Sequence, residues 1–120
     1  MAVHLFLHCD LAATVWYTLC RWLDVVIVLP PDIMMSYGLL VGSGRNKRVR
    51  TGFSIVWLAL VWALWRSRND RIFNNVAQTV ADVMDLIQRF SWQWFLSRTA
   101  KDSCLLYEWI WNPGECMMRG

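Results

Sequence analysis

The sequence lacks the residue patterns that most catalytic sites need. There is no glycine-rich phosphate loop, because Gly42-Ser43-Gly44 is short and lacks the strand–loop–helix context of such loops. The one local Cys–His pair, His8 and Cys9, consists of neighbours in sequence and has no obvious acid to orient the histidine. Asp82 and Asp85 share one face of a predicted helix, and we expect that face to be exposed to solvent. We therefore predict a protein without enzymatic activity.

Cysteine patterns are equally sparse. The four cysteines form no CxxC pair, and their spacing does not resemble a secreted disulfide framework; they are Cys9, Cys20, Cys104 and Cys116. The first residues also lack the basic leader of a signal peptide, and Asp10 ends the first apolar run. These absences predict an intracellular chain whose thiols are free and mostly buried, without specifying a compartment.

No apolar run reaches the length of a membrane span. The longest covers residues 53–65 and is interrupted only by Ser54, whereas a bilayer span needs about 20 residues. A run of this length favours a buried core helix. A small membrane-associated protein anchored through residues 51–65 is the less favoured alternative.

Apolar and aromatic residues are what the sequence has in abundance. The chain has 120 residues, of which 57% are hydrophobic, and nine of them are tryptophan. This length predicts one domain at most. So much apolar side chain on a short chain implies either an unusually aromatic core or a surface that meets a partner, such as another protein chain through exposed apolar helix faces.

The first half of the chain predicts two helices. After Asp10, which suits an N-cap, apolar residues follow at four-residue spacing to residue 23. Residues 25–29 are rich in β-branched side chains and are predicted to be extended, but the segment is too short and isolated to imply a sheet. The second helix is predicted from about Asp32 to Val41, with Pro31 in its first turn.

The second half predicts two longer helices. One begins between Lys47 and Thr51, is apolar on all faces over residues 53–65, and stops at Asn74 and Asn75. The other begins at the capping pair of Thr79 and Asp82 and ends near Arg98, and a short helical turn is predicted over residues 103–109. Trp92 and Trp109 are predicted to be the least buried tryptophans.

The predicted fold is therefore all-α. Four helices and a short C-terminal turn should pack around the central apolar helix of residues 53–65, with no substantial sheet. We predict that residues 10–98 form the helical domain, preceded by residues 1–9 and followed by a tail over residues 99–120.

Two basic runs are the candidate functional residues. The net charge is only +3, but seven cations cluster in two groups: Arg45, Lys47, Arg48 and Arg50, then Arg66, Arg68 and Arg71. Such runs bind phosphates without sequence preference. The alternative is that they form a solvated loop and a solubilising helix end.

Three segments, in this order, resemble one protein family. They are residues 4–9 (HLFLHC) with Asp10-Leu11-Ala12 and Val15-Trp16 after them, residues 65–73 (WRSRNDRIF), and residues 91–94 (SWQW) followed by residues 104–109 (CLLYEW). Together they resemble the end of the zinc-binding domain, and its downstream helical tail, found after the reverse transcriptase of plant LINE-type (non-LTR) retroelements. The resemblance implies a non-catalytic remnant that handles nucleic acid.

The family's zinc site also shows where this sequence departs from the pattern. That site uses a cysteine pair, then a histidine and a cysteine, and His4 and Cys9 match only the last two positions. A closed structural zinc site needs four ligands. We therefore interpret His4 and Cys9 as an incomplete remnant and expect no cofactor, unless another chain supplies the missing zinc ligands.

Overall fold

Residues 10–99 and 104–119 are described by a computed structural model, and these residues form six helices and no strand. The helices are α1 (Asp10–Trp22), α2 (Ile33–Gly42), α3 (Lys47–Phe73), α4 (Val80–Thr99), α5 (Leu106–Trp111) and α6 (Pro113–Met118). The all-α prediction is confirmed. The packing between α3 and α4 is the most extensive in the described protein.

The predicted extended segment lies against α1. Asp24 adopts a left-handed conformation with φ of 60°, which reverses the chain after α1. Residues 25–29 then run back along the helix, where the Trp16 Nε1–H donates to the Ile27 carbonyl at 3.0 Å. The Leu29 amide donates to the Tyr17 hydroxyl at 2.9 Å. Side chains of α1 therefore form hydrogen bonds with the backbone of this segment, so it can be extended without pairing in a sheet.

Helix α2 begins at Ile33, one residue later than predicted. Its N-cap is Asp32, whose carboxylate accepts from the Met35 amide at 2.8 Å. Pro31 precedes the cap, so the prediction that Pro31 lies in the first turn is wrong. The helix docks on α3 through Trp57, whose Nε1–H donates to the Ser36 hydroxyl at 2.9 Å.

Helix α3 has the predicted length but not the predicted burial. Asn46 caps its start, and Asn74 and Asn75 end it as expected, with Asn75 at φ of 54°. Most of the apolar run is buried, but Leu58 and Trp65 are 53% and 51% exposed. The prediction of a helix buried on all faces is therefore wrong, because α2, α4 and α6 cover only part of its circumference.

Helix α4 starts with the predicted capping box. The Thr79 hydroxyl accepts from the Asp82 amide at 3.1 Å, and the Asp82 carboxylate accepts from the Thr79 amide at 3.0 Å. The helix packs Val83, Ile87 and Phe95 into the core. Its neighbouring face meets α3 in an aromatic cluster of Trp62, Phe90 and Trp94.

The two short C-terminal helices pack against α3 and α4. Trp109 of α5 is fully buried, which contradicts the prediction that it is among the least buried tryptophans. Its indole stacks beside Phe95 at a centroid distance of 4.7 Å and donates to the Ser91 hydroxyl at 3.0 Å. Trp92 is half-buried and donates to the Cys104 carbonyl. The sequence did not reveal these contacts because they join residues on different helices.

An ion pair connects the start of α5 to the end of α6. The Glu108 carboxylate accepts from Arg119 Nη2 at 2.8 Å and from the Leu105 amide at 3.0 Å. Hydrogen bonding from Arg119, and then from Leu105, lowers the pKa of Glu108 to about 2. Glu108 therefore stays ionised at neutral pH and caps α5 while it holds the end of α6.

Two of the cysteines are joined by a disulfide. Cys104 and Cys116 have Cα atoms 5.8 Å apart and are bonded, whereas Cys20 is free and buried. The expectation of free thiols is therefore wrong for this pair. The sharp turn at Asn112, which ends α5 and caps α6, folds the two short helices onto each other and brings residues 12 positions apart into contact.

Helix α6 approaches α3 at a glycine, which gives a first stability prediction. A Cβ at Gly52 would lie 2.5 Å from Met117 Cγ and 2.8 Å from Met117 Cε, and Met117 is itself buried. Overpacking of this kind costs about 1–3 kcal/mol, which outweighs the gain of about 1 kcal/mol in helix propensity. We expect Gly52→Ala to lower the free energy of unfolding by up to about 2 kcal/mol in urea denaturation.

Gly38 provides the matched control, because it also lies within a helix but a Cβ there would meet nothing within 4 Å. Gly38→Ala should raise the free energy of unfolding by about 0.5–1 kcal/mol, through helix propensity alone. Equal effects of the two substitutions would show that α6 does not pack closely on Gly52.

Candidate nucleic-acid interface

The first basic run surrounds the amino end of α3. Arg45 precedes the helix, Lys47 is its first residue, and all four cations of the run are exposed. Arg48 Nη1 donates to the Met118 carbonyl at 3.0 Å, and Arg50 Nη1 donates to the Gly44 carbonyl at 3.3 Å. These bonds position two guanidinium groups without neutralising either charge.

The electrostatics of this helix end favour an anion. The first turn of α3 contains no acidic residue, and a helix amino terminus carries the positive end of the macrodipole. Cations placed there repel the helix end, whereas a phosphate is attracted by both the dipole and the side chains. Two carboxylates, Asp24 and Glu115, line a cavity of about 440 Å³ that also includes Arg45, and Glu115 is paired with Arg119.

The second basic run lies near the other end of the same helix. At 1.5 Å per residue, Lys47 and Arg66 are separated by about 28 Å along α3. The Arg66 guanidinium lies over the Trp62 ring, 5.4 Å from its centroid. Arg71 is in the last turn, where a cation is stabilised by the helix dipole. The structure therefore does not bring the two predicted clusters into one site.

A groove between α3 and α4 was not foreseen from the sequence. It is lined by Leu58, Val61, Trp62, Trp65 and Trp94 and has a volume of about 640 Å³. The three-, four- and seven-residue spacing from Leu58 to Trp65 marks one helix face, which sequence reasoning assigned to the core. Only the position of α4 shows that this face is left partly uncovered.

The candidate zinc ligands His4 and Cys9 lie outside the described residues. Within residues 10–99 and 104–119, no group of three or more His, Cys, Asp or Glu side chains could hold a metal ion. Burial raises the pKa of the Cys20 thiol to about 11, against a smaller opposing effect of a hydrogen bond with the Ile27 backbone. Cys20 is therefore protonated at neutral pH and unsuited to act as a thiolate ligand or nucleophile.

The paired carboxylates of α4 have structural partners. Both are exposed as predicted: Asp82 caps the helix, and Asp85 accepts from Arg89 Nε at 3.0 Å. The two acids and Arg66 line a shallow depression beside residues 76–78.

Two further findings concern the chain as a whole. Among the described helices, none combines the length and apolar character needed to cross a bilayer. Comparison with protein-family models, with curated proteins and with solved structures finds no match for this chain.

Proposed function

We propose that this chain is a non-catalytic helical domain that binds nucleic acid weakly, through phosphate contacts and without sequence preference. The observation that carries the proposal is the cluster of Arg45, Lys47, Arg48 and Arg50 around the positive end of α3. No described carboxylate forms an ion pair with any of these four side chains. A phosphodiester would supply the missing negative charge and release counterions from the nucleic acid.

The resemblance to a retroelement family also supports this proposal. Three motifs occur in the order found at the end of the plant LINE-type zinc-binding domain and its helical tail, and the second contains Arg66, Arg68 and Arg71. We propose that the chain is a remnant of such a domain. It would retain charged contacts but use no metal unless another chain completed the set begun by His4 and Cys9.

The proposal predicts how binding depends on salt. The wild-type chain should bind a fluorescently labelled DNA oligonucleotide in anisotropy titrations, with log Kd rising linearly with log salt concentration. Changing Arg45, Lys47, Arg48 and Arg50 to Ala should remove most of that slope, because a neutralised phosphate contributes about 0.7 to 0.9 to it. Affinity should fall alike for unrelated sequences, because phosphate contacts carry no sequence information.

The second basic run serves as the matched control. Changing Arg66, Arg68 and Arg71 to Ala also removes several cations from α3, but about 28 Å away from its amino end. We expect this variant to keep more of the wild-type affinity than the first. Salt-independent binding, loss of one sequence only, or a larger loss in the control variant would each contradict the assignment of the site.

A further inference from the structure

The groove between α3 and α4 is an apolar surface that the chain itself leaves open. Leu58 and Trp65 form its outer edge and are half-exposed, while Trp62 and Trp94 form its floor. The ring centroids of Trp62 and Trp94 are 6.4 Å apart and both rings contact Phe90, so the base of the groove is aromatic. Tryptophan in a preformed concave site is typical of the residues that dominate the energy of protein interfaces.

Arginines flank this groove on both helices. Arg68 follows Trp65 by three residues on α3, and Arg98 follows Trp94 by four residues on α4, so each lies on the same helix face as a lining tryptophan. Arg66 lies over Trp62. No ion pair is found for these three arginines among the described residues. Asp82 and Asp85 line a separate depression, which also includes Arg66.

The shape and charge of the groove select among possible occupants. A second copy would bring its own arginines against Arg66, Arg68 and Arg98, and both copies carry a net positive charge. A nucleic acid would satisfy the arginines, but its sugars and phosphates would face a lining that is almost entirely apolar. An amphipathic helix fits both features, because its apolar face would fill the groove and acidic flanks would meet the arginines.

We propose that this groove binds an amphipathic helix with acidic flanks, supplied by a partner protein. Apolar side chains at i, i+4 and i+7 of that helix would pack on Leu58, Trp65 and Trp94. Glutamate or aspartate beside them would pair with Arg66, Arg68 and Arg98. The groove is separate from the amino end of α3, so this proposal does not depend on nucleic-acid binding there.

The test uses two designed helical peptides that share the same leucine face. One carries glutamate on both flanks and the other carries lysine at the same positions. Fluorescence anisotropy with the full chain should show binding of the glutamate peptide and at least about tenfold weaker binding of the lysine peptide. Trp65→Ala should weaken the glutamate peptide by about tenfold or more, whereas the equally truncating Trp111→Ala, at an exposed position of α5, should not.

A variant that reverses the charge of Arg68 tests the same site if a tryptophan variant folds poorly. Arg68→Glu should weaken the glutamate peptide and strengthen the lysine peptide, with an unchanged far-ultraviolet circular dichroism spectrum. Equal binding of the two peptides, or equal effects of Trp65→Ala and Trp111→Ala, would overturn the proposal. So would binding of an oligothymidylate that is lost in Trp65→Ala while the glutamate peptide fails to bind, because the groove would then hold bases.

Discussion

Trp109→Ala should lower the free energy of unfolding by about 3–5 kcal/mol, the largest effect that we expect from a single substitution in this chain. Trp109 is 0% exposed, stacks beside Phe95 and meets the edge of Trp22 at a centroid distance of 6.0 Å. Its removal would open a large cavity and leave the Ser91 hydroxyl without its indole donor. The measurement is urea or thermal denaturation of the purified chain.

Trp111 supplies an unusually close control, because it lies two residues away in the same helix and is 87% exposed. Trp111→Ala should change stability by no more than about 0.5 kcal/mol. If the alanine variant at position 109 fails to fold, Trp109→Phe should give an intermediate loss, since it retains a ring but not the hydrogen bond to Ser91. Similar stabilities of the two alanine variants would show that α5 does not pack on α4 as described.

Loss of the Cys104–Cys116 disulfide should have the second largest effect. A bond that closes a loop of this length stabilises a protein by about 2–4 kcal/mol, largely by restricting the unfolded chain. We therefore expect Cys104→Ala/Cys116→Ala to lower the free energy of unfolding by about that amount. A reductant should lower the stability of the wild-type chain similarly, because both thiols would then be free.

The double variant is the control for the effect of the reductant on the wild-type chain. Its stability should not respond to added dithiothreitol, since Cys20 is the free cysteine of the described residues. Thiol titration of the wild-type protein in denaturant should also detect two fewer thiols before reduction than after reduction. Identical thiol counts would mean that the bond does not form in solution.

Helix boundaries were the most predictable part of this protein. Thr79 and Asp82 form a capping box and Asp32 caps α2, because these side chains bond to backbone amides three residues away. Asn74 and Asn75 stop α3, where Asn75 adopts a left-handed conformation. Pro31 was predicted to lie in the first turn of α2, but it precedes the N-cap residue Asp32. Proline is common at both positions, so the sequence alone did not decide between them.

Burial was predicted less well, because it depends on which helices become neighbours. Trp109 was expected near the surface, but the turn at Asn112 and the packing of α5 on α4 place it in the core. Trp65 was assigned to a buried helix, but α2 and α4 leave its face half-open. The candidate groove was missed for the same reason.

By itself, the sequence determined the all-α class, the approximate ends of the four long helices, the capping box of α4, and the positions of the two basic runs at the two ends of α3. These properties follow from side-chain periodicity and from contacts within a single turn of helix, which are local. Tertiary structure alone decided that Cys104 meets Cys116 and that Leu58 and Trp65 line an open groove. Both depend on where the chain turns and on which helix faces pack together. Such contacts join parts of the chain that are far apart in sequence, so local sequence patterns do not specify them.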